Sequence, residues 1–173
     1  MIKQRQQGGF MLIEALIAIL IFSLGILGMV AMGGTAVGAQ SDARFRTDAA
    51  ALADEIANRM AIDAPRSLVA VSGPDLVLAA SLAKFEYQRD TGATPCAFSG
   101  AKSGEPTVTN WINLVRADVG YTGAHRLPGA TDSTEQIRVD TSAAGFNQVS
   151  ITVCWQGPND AAQRRHTLVT YIN

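Results

Sequence analysis

Apolar positions along this chain change their period twice. From Phe10 to Ser41 they are almost continuous. The 27 positions from 15 to 41 carry no formal charge, and Glu14 is the one charged residue set into the apolar run. That length exceeds the ~20 residues a helix needs to cross the hydrocarbon core of a bilayer. From Asp42 the pattern becomes amphipathic. Phe45, Ala49, Leu52, Ile56 and Met60 recur at spacings of three and four, which places them on one helical face. Asp42, Arg46, Asp48, Glu55 and Arg59 lie mostly away from it, and Glu55 and Arg59 form a favourable i,i+4 pair. The stretch is rich in alanine and other helix formers. Pro65 disfavours helix at the residue before it, so one helix is expected from Phe10 to about Ile62. The alternative is a hairpin or two helices broken at Gly33-Gly34. Glycines inside a helix each cost up to ~1 kcal/mol relative to alanine, although Gly34-x-x-x-Gly38 also fits the small-xxx-small pattern of close helix approach.

Beyond Pro65 the period shortens. Residues 65–106 contain one sustained apolar part, "LVLAASLAKFEYQ", whose period fits a short helix or a strand. "TNWINLVRADV" offers Thr109 or Asn110 as a helix cap and Trp111, Ile112, Leu114, Val115 and Val119 as packing residues, so a short helix is expected over about 110–119. "GYTGAHRLPGATDS" reads as a loop. Three alternating runs follow. "EQIRVDT" sets Ile137 and Val139 on one face. "QVSITVCW" alternates Val149, Ile151, Val153 and Trp155 against Gln148, Ser150, Thr152 and Cys154. "RHTLVTYIN" is the last, joined to its predecessor by the hairpin loop "QGPND". The expected class is α+β: a small antiparallel sheet of three or four strands packed on the apolar stripe of a long N-terminal helix.

Composition adds less. The chain has 173 residues, 47% of them hydrophobic, and a formal net charge of −1, which suits one domain with an appendage. No basic run is present, so nucleic acid is not an expected partner. No internal repeat is visible.

The N-terminus fits three patterns. Lys3 and Arg5 before an apolar stretch form the basic region of a secretory signal peptide, but the apolar run is too long and no cleavage site with a helix break follows it. A plain signal anchor, basic end cytoplasmic, leaves Glu14 and Gly8-Gly9 unexplained. The third pattern uses all of them. A short basic leader ends in Gly9, Phe10 follows, a glutamate stands at Glu14, and "ALIAILIFSLGILG" continues the segment. This arrangement resembles the prepilin signal of type IV pilins and type II secretion pseudopilins. With "SLGILGM" inside the segment, a Trp-bearing helix before a Leu-Pro-Gly loop, "VSITVCW" and a last strand, the chain is similar to a PilV-type minor pilin.

The resemblance implies four parts: a leader over 1–9, a membrane and filament-core half-helix over 10–41, an amphipathic half-helix over 42–64, and a globular head over 65–173. It implies cleavage between Gly9 and Phe10 by prepilin peptidase and methylation of the new Phe10 amine. The mature chain would run from 10 to 173, which is 164 residues, and lose Lys3 and Arg5. Glu14 is expected to mediate subunit assembly by pairing with the Phe10 amine of a neighbouring subunit, since opposite charges attract strongly in low dielectric. Implied partners are prepilin peptidase, other minor and major pilins, the inner-membrane assembly machinery and the inner-membrane lipid. The head would stand in the periplasm and later in the fibre. The implied role is priming pilus assembly near the tip, with a type II secretion pseudopilin or a tip adhesion or DNA-uptake subunit as alternatives.

Cys96 and Cys154 are the only cysteines. In a head exported to an oxidising compartment an even count suggests a disulfide; the alternative is two unpaired thiols on opposite sides of the sheet. Ser81-Leu82-Ala83-Lys84 and Lys102-Ser103-Gly104 match short boxes of penicillin-binding enzymes, but no S-D-N accompanies them. His125 and His166 lack a nucleophile partner, Asp132 and Glu135 read as turn and surface carboxylates, and Trp111 and Trp155 as core. No enzyme activity, cofactor or metal site is expected.

Overall fold

The computed structural model describes residues 10–65, 76–116, 127–142, 144–158 and 160–173. The expected leader with Gly9, His125 and the expected helical turn over 117–119 lie outside the described residues. The chain forms two compact units that divide between Ser41 and Asp42.

In the first unit α1 (Phe10–Asp63) begins, a single helix of 54 residues, and the break considered at Gly33-Gly34 does not occur. From Leu12 to Met32 its large apolar side chains are all solvent-facing. The backbone polar groups are satisfied within the helix, and Ser23 Oγ donates to the Ile19 carbonyl at 2.7 Å, so the segment presents a nearly unbroken apolar surface. It is long and apolar enough to cross a membrane.

In the second unit α1 buries one face. Ala49, Leu52, Ala53, Ile56, Ala57 and Met60 all lie in the core; Phe45 packs against its margin. Each fully buried large side chain stabilises by roughly 1.5–3 kcal/mol relative to exposure, and the intervening alanines let neighbours approach the helix closely. Charges on the opposite face pair as the spacing predicted, with Arg59 donating to Glu55 at 2.6 Å.

The apolar run at 76–83 is helical, α2 (Leu76–Ala83), which settles its ambiguous period. A two-residue ribbon follows, β1 (Asp90–Thr91) with β2 (Phe98–Ser99), and then α3 (Pro106–Arg116). Proline opens α3, where its missing N–H costs nothing, so the helix starts earlier than the expected residue 110. Val108, Trp111, Ile112 and Val115 face the core, and Trp111 Nε1 donates to the Leu52 carbonyl of α1 at 2.8 Å.

The sheet is a three-stranded antiparallel meander in the order β3-β4-β5, made of β3 (Glu135–Asp140), β4 (Gln148–Trp155) and β5 (Arg164–Tyr171). Ile137 lies opposite Ile151, and Ile151 opposite Leu168. Val149, Ile151, Val153 and Trp155 form the inner face with Ile137 and Val139, all in the same core as the α1 stripe. The α+β class and the meander agree with the sequence pattern. The Leu127-Pro128-Gly129 loop closes one end: Leu127 is buried, Pro128 accepts from the Gln156 N–H at 2.8 Å, and Gly129 has φ +70°, where a Cβ would press on Gln156 at 3.1–3.3 Å.

Cys96 and Cys154 are joined in a disulfide. With Phe98 they form a small separate buried cluster, so the bridge ties the 76–105 connector to the central strand. Replacing both cysteines with alanine is expected to lower the unfolding free energy by ~4 kcal/mol, the chain-entropy value for a loop of this length. Urea unfolding of the oxidised protein and the double variant checks this.

Candidate functional site

Three places collect polar chemistry: the start of α1, a charged cluster on the head, and a network between β5 and the residues of α1 from Asp42. At the first, Phe10 opens the helix and Glu14 lies one turn on, exposed, with no ion pair among the described residues. Its helical neighbours Leu12, Ile13 and Ile17 are 70%, 56% and 53% exposed. A carboxylate is thus held in an apolar surface, near one end of the candidate membrane span, where its insertion cost is lower than at the bilayer centre.

The second centres on Arg116 in the last turn of α3. Its Nε and Nη2 donate to Glu135 Oε2 at 3.1 and 2.6 Å. Its Nη1 donates to Asp132 at 2.7 Å, and Nη2 also reaches the Tyr87 hydroxyl at 3.3 Å. Lys102 pairs with the other Asp132 oxygen, and Thr134 Oγ1 donates to Glu135 Oε1 at 2.9 Å. Beside this cluster lies an open pocket of about 180 Å³ lined by Tyr87, Lys102, Ser103, Thr109, Ile112, Asn113 and Asp132.

Glu135 corrects the sequence reading. It is not a surface carboxylate but fully buried. The strand alternation that turns Ile137 and Val139 inward also turns Glu135 inward, and the arginine ending α3 neutralises it there. That signal was present in the spacing. Burial pushes the Glu135 carboxyl above its ordinary value, and the Arg116 guanidinium opposes this only in part. For Arg116 burial works against the charge, but its bonds to Glu135, Tyr87 and Asp132 prevail and hold its pKa above the ordinary value. Asp132 is held below the usual carboxylate range by Lys102 and Arg116. The cluster satisfies a buried charge and fastens α3 to the start of β3.

A third network joins β5 to α1. Arg164 Nη1 lies 2.9 Å from Asp42 Oδ1, and its Nε and Nη2 donate to Asp160 at 2.9 and 2.7 Å. Arg46 holds the other Asp42 oxygen at 3.1 Å. Arg164 keeps the Asp160 carboxyl below the usual range.

The enzyme-like boxes are engaged in structure. Ser81 Oγ donates to the Leu78 carbonyl within α2, Ser103 Oγ to the Lys84 carbonyl at 2.6 Å, and Lys102 is held by Asp132. His166 is a half-buried strand residue. Among the described residues no group of three or more His, Cys, Asp or Glu is arranged to hold a metal ion. Trp111 and Trp155 are both core residues, as expected.

No family model, curated protein or solved structure matches this chain. The architecture itself, a long apolar N-terminal helix with a small antiparallel sheet and a disulfide, is consistent with a pilin-like arrangement.

The Glu135 environment makes a pH dependence with a definite sign. Its folded pKa is raised above the unfolded value of 4.5, so the folded state binds this proton more tightly. The corresponding stability is present below about 4.5 and is lost as pH rises through the folded pKa. Urea unfolding across that window should show this fall in the native protein and lack it in Glu135→Gln. At neutral pH, Glu135→Ala leaves Arg116 paired with Asp132 but its Nε without a partner, and should cost roughly 1–3 kcal/mol.

Proposed function

We propose that this protein is a minor pilin of the PilV type: a membrane-inserted precursor cleaved after Gly9, methylated on the Phe10 amine, and built through α1 into a type IV pilus, whose assembly it helps to prime with other minor pilins. The observation that carries the reading is the lone carboxylate Glu14, four residues from Phe10 in an exposed helix otherwise uncharged as far as Asp42. An unpaired carboxylate in an apolar helix surface is destabilising by itself and demands a cationic partner in low dielectric. Cleavage before Phe10 creates one, an α-amino group one helical turn away in sequence. In a neighbouring subunit displaced along the helix the amine can meet the carboxylate. The exposed apolar side chains around Glu14 would be covered at the same time by adjacent helices.

The head fits this role in two respects. Its disulfide suits an oxidising compartment beyond the inner membrane, and among the described residues Arg89, Lys102, Arg116 and Arg164 of the head are paired with carboxylates, which gives no support to a DNA-binding role.

Intact mass of the membrane-extracted protein, with N-terminal fragmentation, tests the processing step. The expected chain begins at Phe10 and carries one added methyl group; a chain beginning at Met1 in cells with active prepilin peptidase overturns the reading. Glu14→Gln keeps the helix and removes the charge. It is expected to leave the head's thermal unfolding unchanged and to lower the amount recovered in sheared fibres about tenfold or more, the factor that follows from losing ~1.4 kcal/mol of pairing. Quantitative blotting of fibre and membrane fractions reads the ratio.

A further inference from the structure

The two edges of the head sheet are built differently. The β3 edge is closed. Ile137 exchanges both backbone hydrogen bonds with Tyr87 at 2.9 Å, the Gln136 amide donates to the Gln88 and Arg89 carbonyls at 2.8 and 3.0 Å, and Glu86 accepts from the Val139 N–H at 3.4 Å. The β5 edge has no such cover: among the described residues no segment pairs with its outer side.

The direction of its backbone groups follows from the register. Because Ile137 faces Tyr87, it cannot face β4, so Gln136, Arg138 and Asp140 make the bonds to β4. The Cys154 N–H, donated to Thr134, obeys the same alternation. Val149, Ile151, Val153 and Trp155 therefore turn their backbone groups to β5, where they meet Thr170, Leu168, His166 and Arg164. The residues between these, Arg165, Thr167, Val169 and Tyr171, direct N–H and C=O away from the sheet. Natural edges of this kind are usually protected by proline, charged side chains or a bulge; β5 has no proline and pairs with β4 without a bulge, and its two arginines both stand at its first end, leaving Thr167 to Tyr171 uncharged. Its outward residues instead offer contacts. Val169 and Tyr171 are 51% and 55% exposed, and Arg165 has no ion pair among the described residues. Phe146, exposed and with φ +50°, lies at the Tyr171 end, next to Asn147, whose carbonyl accepts from Ile172. A bulky residue in the left-handed region is held there against its own preference.

We propose that the outer edge of β5 is a docking site for an extended segment of a different polypeptide, which adds to the sheet as a fourth, antiparallel strand. Backbone groups supply the attraction and alternate side chains the selectivity. The fitting segment carries a carboxylate opposite Arg165 and apolar side chains opposite Val169 and Tyr171. A second copy of this chain does not fit. The closed β3 edge blocks head-to-tail addition, and in a two-fold pair of β5 with β5 the partner strand has no carboxylate to set opposite Arg165.

The test is amide hydrogen exchange on the full chain in detergent micelles, with the peptide acetyl-Ile-Thr-Val-Thr-Thr-Thr-Glu-amide as probe. The peptide is expected to slow the amides of Arg165, Thr167, Val169 and Tyr171 about tenfold or more and to leave His166, Leu168 and Thr170 unchanged. Val169→Pro removes an outward N–H that makes no bond to β4 and should abolish the effect. Should that variant not fold, Arg165→Glu should weaken binding of this peptide and favour one ending in lysine. No slowing at any soluble peptide concentration overturns the proposal. So does unchanged protection in both variants, or protection without peptide that grows with protein concentration, which would assign the edge to a second copy. None of these readings depends on processing at Gly9, so failure here and failure of the pilus reading are separately visible.

Discussion

The buried stripe of α1 from Ala49 to Met60 is the surface on which the head is built. A three-stranded meander cannot cover its own apolar face, and Ile137, Val139, Val149, Ile151, Val153 and Trp155 would otherwise lie open on one side. The same helix residues receive α3, through the Trp111 side chain and its bond to the Leu52 carbonyl. Alanine at 49, 53 and 57 alternates with the large residues, so the sheet and α3 both come close to the helix backbone. The helix is thus a structural member of the head in its second half and an exposed apolar rod in its first.

Polar networks fix what hydrophobic packing leaves loose. Arg116 fastens the end of α3 to Glu135 at the start of β3, with Asp132 and Lys102 at the rim. Arg164 fastens the start of β5 to Asp42 on α1 and to Asp160 in the preceding loop. Burying an ion pair gives little net stability. Its value lies in the heavy cost of any arrangement that separates the partners, which selects one register for each strand.

Much of this was legible from spacing. The helix from Phe10, its inward face and the alternation of β4 followed from the periods 3.6 and 2, because those positions answer only to burial. The connector was not legible. "LVLAASLA" is apolar on every side, so periodicity gave no preference, and tertiary packing of Leu78 and Leu82 decided for helix. Pro106 opens α3, three residues ahead of the Thr109 and Asn110 caps that the local pattern favours. The charged cluster escaped because it joins residues from four separate segments, around 87, 102, 116 and 132–135. Only Glu135 carried a local sign, its shared parity with Ile137. At the candidate assembly site the reverse holds. Glu14 stands out in the sequence because nothing around it is charged, and its surroundings in a single chain add only its exposure.

The disulfide divides the head by topology. The ring closed by Cys96 and Cys154 contains β2, α3, β3 and nearly all of β4. The helix α1 and the strand β5 stand outside it. Under tension the residues within the ring cannot pay out as extended chain while the bridge is intact. A pull along α1 is therefore resisted first by side-chain packing and by the Asp42–Arg164 link, and the part of the head that could be drawn out is limited to what lies beyond the two cysteines. If load enters through α1, the covalent bond acts as a stop on extension, placed behind the contacts that yield first.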